Sequence, residues 1–461
     1  MPIIIQGGSV ISSRAVQPAD VLIEGEKIAA VAARIEPPPG AQVIDATGLL
    51  VLPGIIDAHT HIQLDTGIYR TSDNWEIGTR TAAAGGVTTV IDFATQFPGQ
   101  TFDQALDNRL AEAGGKAIVD YALHCMITSL PIGSEESLQR LVDRGVPSFK
   151  VYTTYRPNYY MDDATLLRLL AKAAEIGGLV MVHAENDAMV TEATQHLVAA
   201  GQTTWNFHPR GRPAIAEQEA IHRVLFLAWE ARAPVYIVHC STARSVELVY
   251  AARGADQPAW CETCPQYLLL DDRVYEGPHP EHYILQPPLR AVGEPDRLWE
   301  LVAGGAVSVI STDTCDYTLA QKREFTQFTQ TPGGLPGVET LLPLIYTYGV
   351  DRGRIPATDL VRMLCENPAR LFGIAPRKGF LAPGSDADIV LYDPASERVV
   401  HHRDLHYLAG YSPYEGMRVK GEVRMTISRG EIVYRNGEIT GISGRGQFVP
   451  GAPFSAADMM R

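Results

Sequence analysis

The dipeptide spacing His59-Thr60-His61 follows a short apolar run, Gly54-Ile55-Ile56, and offers two imidazoles on one side of an extended chain. Alone it says little, because alternate residues of any strand share a face. Four other segments end in the same manner. They place Lys150 after Phe149, His183 after Val182, His239 after Val238 and Asp313 after Ser311-Thr312. Each has an ordinary reading by itself: a hydrogen-bonded structural histidine, a surface lysine, a helix N-cap aspartate. Together they point to a metal centre. Neutral imidazole and carboxylate suit a borderline ion such as Zn²⁺. Two divalent ions about 3.5–4 Å apart would hold a hydroxide and polarise a carbonyl together. Four histidines and one aspartate are thin for two ions, and an anionic bridge is missing. An ammonium cannot supply it near neutral pH, whereas Lys150 carbamylated by CO₂ could.

Such residues must be held at one end of a rigid frame. The middle of the chain alternates β-rich runs with amphipathic stretches. Strands are expected at 55–59, 88–93, 119–126, 148–152, 179–183, 235–239, 259–263 and 307–312. Helices are expected between them, among them 102–113 stopped by Gly114, 134–144 stopped by Gly145, and one capped by Asp162 or Asp163. Eight strand–helix units predict an α/β fold, a (β/α)₈ TIM-like barrel, with the site at the C-terminal strand ends. No GxGxxG follows any strand, which argues against a doubly wound sheet. Both chain ends read as β-structure. The segment 21–31 turns at Glu24-Gly25-Glu26, 425–439 turns at Arg429-Gly430 and Asn436-Gly437, and 388–392 adds a strand. We expect residues 1–52 and 378–461 to form a small β-sandwich domain and C-terminal tail around a barrel of residues 53–377.

The 461 residues, 46% hydrophobic and 20% charged, suffice for one large domain and a smaller one. A formal charge of −14 argues against a nucleic-acid partner. No run approaches the roughly 18 apolar residues that span a bilayer, so no membrane partner is expected. Six cysteines make no disulfide framework in a chain of this size, and the Cys261/Cys264 pair reads as buried strand and loop. The start lacks a signal-peptide pattern, and a cytoplasmic location is expected.

The sequence resembles the hydantoinase/dihydropyrimidinase family, cyclic amidases of the amidohydrolase superfamily, over essentially its whole length. The resemblance is carried by PGIIDAHTH (53–61), GVTTVIDFA (86–94), SFKVYTTY (148–155), VHAEN (182–186), ETCPQYLLLDD (262–272) and PPLR (287–290). It continues in GGLPGVE (333–339), ENPARLFGI (366–374), GSDADIVLYDP (384–394) and YSPYEG (411–416). It implies one metal on His59, His61 and Asp313, another on His183 and His239, and a carbamylated Lys150 bridging them. It also implies that Asp313 moves the proton and that Tyr155 donates to the oxyanion. The substrate's imide edge would be read by backbone near Gln286 and Gly333, and the assembly would be a homo-oligomer, tetramer or dimer. The implied activity opens 5-substituted hydantoins or dihydropyrimidines to N-carbamoyl amino acids. Allantoinase- and dihydroorotase-type activities are the alternatives, with a non-catalytic scaffold behind them. Against dihydroorotase, Gln63 stands where an arginine is common; against allantoinase, Ile62-Gln63-Leu64-Asp65 replaces Asn-Glu-Pro-Gly. Three positions depart from the family pattern: Thr314 for His, Gln286 for Ser and Gly333 for Asn. Pocket walls are expected from 62–69, Phe97 and 152–160, with Ile62, Leu64, Tyr152 and Tyr159 binding substrate beside Tyr155 and an aromatic 5-substituent favoured.

Overall fold

Eight apolar runs pair in chain order as parallel strands. The computed structural model describes residues 1–459, so the last two positions of the expected 378–461 segment lie outside the described residues. The strands are Ile55–Asp57, Val87–Thr95, Asp120–Met126, Ser148–Tyr152, Leu179–His183, Val235–Ile237, Ala259–Thr263 and Val309–Ile310. Each bonds the next in an eight-stranded sheet. The first and last meet at a parallel Thr60–Thr314 bridge, where His61 N donates to Thr314 O at 2.8 Å. The (β/α)₈ expectation is borne out.

Local sequence explains the helices between the strands. Phe102–Ala113 opens with a capping box, Thr101 and Gln104 each bonding the other's backbone, and stops at Gly114. Asp163–Ile176 is capped by Asp162 and ends at Gly177, whose φ of 69° is left-handed. The helix expected over 134–144 is shorter, Ser137–Asp143, because Ser137 N closes a turn onto Ser134 O.

Both chain ends join one β-structure, as expected. In a seven-stranded sheet Ile389–Val399 runs antiparallel to Leu50–Pro53, with Ile389 opposite Pro53. A four-stranded sheet faces it, and Ile5, Val21, Ile23, Val51, Ile389 and Ile427 fill the space between. At the hairpin turn Asn436 and Gly437 both have positive φ, 48° and 92°, as a two-residue turn requires. The C-terminal segment has a second task. Val449 N donates to Tyr121 O at 2.7 Å and Phe454 N to Gly177 O at 2.7 Å. Val449 and Phe454 thereby pack with Ile91, Leu179, Met181 and Trp260 in the barrel interior. They seal its N-terminal end and leave the C-terminal end for chemistry.

Candidate active site

Strand ends aim the predicted ligand-type residues into one cavity of about 250 Å³, lined by His59, His61, Lys150, His183, His239 and Asp313. Tyr155, Leu64, Tyr152, Tyr159, Gln286 and Gly333 line the same cavity. Ile62 does not, which corrects the expectation. Its side chain is buried against Gly78 of the helix Trp75–Ala84, where an added Cβ would come within 2.9 Å of it. Phe97 borders a neighbouring cavity, and Tyr160 lies under the Arg156 guanidinium, 3.5 Å from its ring centre.

His59 Nε2 lies 3.1 Å and His61 Nε2 3.3 Å from Asp313 Oδ1. The ligand atoms of these three residues all fall within 4.8 Å of one another, a grouping that could hold a metal ion. Lys150 Nζ is 3.5 Å from His59 Nε2. The His183 and His239 rings are 4.6 Å apart, and those of His59 and His239 5.6 Å. Three of the surrounding residues hold left-handed backbone: Tyr155 at φ 74°, His239 at 38° and Asp313 at 53°. Each costs about 1–3 kcal/mol and persists only where surrounding packing imposes it.

Partners behind the cavity fix which ring nitrogen is free. His59 Nδ1 is 2.5 Å from Glu262 Oε1, leaving Nε2 toward the cavity. His183 Nε2 is 2.6 Å from Glu185 Oε2, leaving Nδ1. Glu185 is gripped in turn by the Arg212 guanidinium. His61 Nδ1 and His239 Nδ1 are buried with no hydrogen-bond partner among the described residues. Imidazoles anchored on one nitrogen, with buried orphan nitrogens beside them, fit a metal-binding shell. His124, a fifth imidazole in the barrel, is fully used: Nδ1 meets Ser148 Oγ at 2.6 Å and Nε2 meets Ala58 O at 3.0 Å.

Electrostatics agree with this arrangement. Burial pushes His59, His183 and His239 below the usual imidazole range, keeping them neutral. Burial would raise the Asp313 carboxyl, yet His59, His61 and Lys150 together hold it below its ordinary value. Burial lowers the Lys150 amine to about 8. Burial raises the Tyr155 phenol, so it stays a neutral O–H donor.

Glu262, Glu185 and Arg212 were not singled out from sequence as parts of the site. A signal existed in two of them: Glu262 is an acid inside the apolar buried strand Ala259–Thr263, and Glu185 follows His183 by two. Thr314, where the family has histidine, accepts from Gly337 N at 2.9 Å and bridges to Thr60, closing the barrel instead of lining the cavity.

A parallel barrel with this donor set at its C-terminal rim defines a class, the barrel hydrolases that work through bound metal. Known proteins narrow it. A model described as Amidohydrolase family matches residues 50–433. A D-phenylhydantoinase of Escherichia coli is 41% identical over 458 residues, 98% of this chain and 99% of the relative. The dihydropyrimidinase of Brevibacillus agri NCHU1002 superposes with TM-score 0.97 at 37% identity, covering 99% of this chain and 100% of that one. The L-hydantoinase (dihydropyrimidinase) of Arthrobacter aurescens superposes with TM-score 0.90 at 32% identity, covering 97% and 99%. The chain belongs to the amidohydrolase family, in its hydantoinase and dihydropyrimidinase branch.

Proposed function

We propose that this protein is a binuclear-metal hydrolase that opens the cyclic amide bond of 5-substituted hydantoins and dihydropyrimidines, giving N-carbamoyl amino acids. The observation that carries the reading is the convergence of His59, His61, Lys150, His183, His239 and Asp313 on one cavity, in a chain so similar to a D-phenylhydantoinase. His59, His61 and Asp313 would hold one divalent ion, and His183 and His239 the other. Carbamylated Lys150 would join the two, its neutral amine having added CO₂ with loss of a proton. The imidazole and carboxylate donors suit Zn²⁺. When bound, such ions polarise an amide carbonyl and acidify water.

The chain's own residues do the rest. Asp313 takes the proton of the attacking water and returns it to the ring nitrogen as the C–N bond breaks. The Tyr155 hydroxyl donates to the carbonyl oxygen as negative charge gathers there. Leu64, Tyr152 and Tyr159 give an apolar, aromatic wall to the 5-substituent, and the backbone at Gln286 and Gly333 reads the imide edge. Among the described residues no arginine lines the cavity, which leaves a dihydroorotate carboxylate without a guanidinium partner. A non-catalytic scaffold would not need every ligand position filled.

The exposed Ile215, Phe226 and Trp229 on helix Ala214–Glu230 suit a homo-oligomer. No helix among the described residues is long and apolar enough to cross a membrane. All six cysteines are buried and free, which suits a reducing cytoplasm.

The test is a hydrolysis panel with metal-loaded enzyme: dihydrouracil, 5-phenylhydantoin of both hands, allantoin and dihydroorotate. 5-Phenylhydantoin and dihydrouracil should open fastest, with 5-phenylhydantoin at least matching dihydrouracil. A 5-phenylhydantoin rate far below dihydrouracil would remove the aromatic wall's role. Turnover confined to allantoin or dihydroorotate would overturn the reading. Glu262 supplies a further check, because it orients His59 and also accepts from Tyr236 Oη at 2.8 Å. Glu262→Gln should weaken metal affinity about 10- to 100-fold, measured by competition with a chelator. Unchanged affinity would show that Glu262 plays no orienting part.

A further inference from the structure

Two of the departures from the family pattern, Gln286 and Gly333, touch each other. A Cβ added to Gly333 would come 1.9 Å from Gln286 Oε1 and 2.5 Å from both Cδ and Nε2. The Gln286 carboxamide therefore occupies the space that a side chain at 333 would fill. Gly333 has no room to retreat. Gly334 N donates to Ile284 O at 2.9 Å, Cys315 N donates to Leu335 O at 3.0 Å, and a Cβ on Gly334 would lie 2.2 Å from Cys315 O. The backbone at 333–335 is thus clamped between the segments at 284–286 and 315. Any larger residue at 333 must displace the Gln286 amide.

That amide is half-buried, faces the cavity and has no hydrogen-bond partner among the described residues. Gln266, which lines the same cavity, is different. Its Nε2 donates to Thr312 O at 3.1 Å and its Oε1 accepts from Tyr414 Oη at 3.3 Å. A primary carboxamide offers an N–H donor beside a C=O acceptor. A cyclic amide is locked cis, so its own N–H and C=O stand side by side on one ring edge. The two edges are complementary in a two-point pair.

We propose that the Gln286 side chain, seated on Gly333, pairs with the N–H/C=O edge of the substrate ring and sets specificity for an unsubstituted ring nitrogen. The inference rests on the cyclic-amide reading above. It moves recognition at this edge from backbone alone to a side chain particular to this chain. Gly333 serves as the seat that holds the amide in place.

The experiment separates the two claims by using a ring that binds without needing turnover. Calorimetry on the metal-loaded enzyme compares 5,5-dimethylhydantoin with its N3-methyl derivative, while hydrolysis of 5-phenylhydantoin is measured in parallel. Wild type should bind the N–H ring at least about tenfold more tightly than the N-methyl ring, the worth of one good hydrogen bond. Gln286→Ala should erase that preference. Gly333→Ala should erase it too, and the double variant should be no worse than either single one, because both remove the same contact. Discrimination retained in Gln286→Ala would overturn the proposal in favour of backbone reading. Additive losses in the double variant, or no binding of the N–H ring to wild type, would overturn it as well. Binding and discrimination without hydrolysis of 5-phenylhydantoin would instead count against the functional reading and leave this pairing supported.

Discussion

Lys150→Ala should lose the paired metal ions and at least about 10³-fold in kcat/KM, since bound metal supplies several kcal/mol to such a reaction. The argument lies in where Lys150 is put. Its side chain is buried at the middle of strand Ser148–Tyr152, with Nζ 5.5 Å from the centre of the Phe93 ring and 5.2 Å from that of Tyr152. Its one hydrogen-bond contact is an imidazole nitrogen, His59 Nε2, and no ion pair among the described residues includes it. A permanent ammonium in that place would sit among imidazoles with no carboxylate in ion-pair reach, and the more distant attraction of Asp313 and Glu262 does not make up its desolvation, since burial still lowers the amine to about 8. A carbamate inverts the situation: it is an anion, and the divalent ions that His59, His183 and His239 would hold offset its charge. Metal content of the purified variant, by plasma spectrometry, should fall below one equivalent. Short carboxylic acids supplied in the buffer should restore part of both metal and rate by entering the vacated space. Retention of wild-type metal in Lys150→Ala would end the bridging role.

The barrel was legible because its signals are local: apolar runs of strand length, helix caps such as Asp162, and stops such as Gly114 and Gly145. Strand ends were read less well, for a physical reason. The run expected to reach His59 stops at Asp57, whose carboxylate turns to accept from Thr312 N at 3.0 Å and Thr312 Oγ1 at 2.5 Å. The run expected to reach His239 stops at Ile237, because His239 adopts a left-handed φ no strand contains. Only Val309–Ile310 is regular in the eighth strand, since Asp313 likewise departs. His239 and Asp313, which aim at the cavity, break the strand pattern, whereas Lys150 and His183 reach it from within regular strands. The metal-type residues were visible as types at strand ends, but their supports were not. Glu262 reaches His59 across 203 positions and Arg212 reaches Glu185 across 27, contacts that only the closed barrel creates. Ile62 shows the same limit: its type and place suggested the pocket, while packing on Gly78 turned it away.

Lys378→Met should cost about 3–5 kcal/mol of stability, the usual consequence of removing one partner from a buried ionic network. Lys378 joins the two parts of the fold. Its Nζ lies 2.6 Å from Asp120 Oδ2 at the start of the third barrel strand, and 2.7 Å from Asp388 Oδ2 and 2.9 Å from Asp386 Oδ2 beside the β-sandwich. Arg429 adds a second cation, its Nε 3.0 Å from Asp120 Oδ2. Three carboxylates thus face two interior cations, with Lys27 and Arg377 reaching Asp386 from the surface. Burial works against charge on Asp386, but Lys378, Lys27 and Arg377 together outweigh it and hold the carboxyl down to about 2. Because that folded value lies below the ordinary 3.8, the contribution is complete above pH 3.8 and fades as pH falls toward 2. Lys378 itself is raised above its ordinary 10.5, so its share is complete below that pH and is lost only in stronger alkali. Methionine keeps the stem's volume and deletes the charge, leaving Asp120 and Asp388 facing one another. Their repulsion should open the seam between barrel and sandwich before the barrel itself melts. Urea unfolding at pH 7 should show the loss as a lower midpoint, and Lys378→Met/Asp388→Asn should recover part of it. A single variant as stable as wild type would mean that the network's desolvation cost already cancels its attraction.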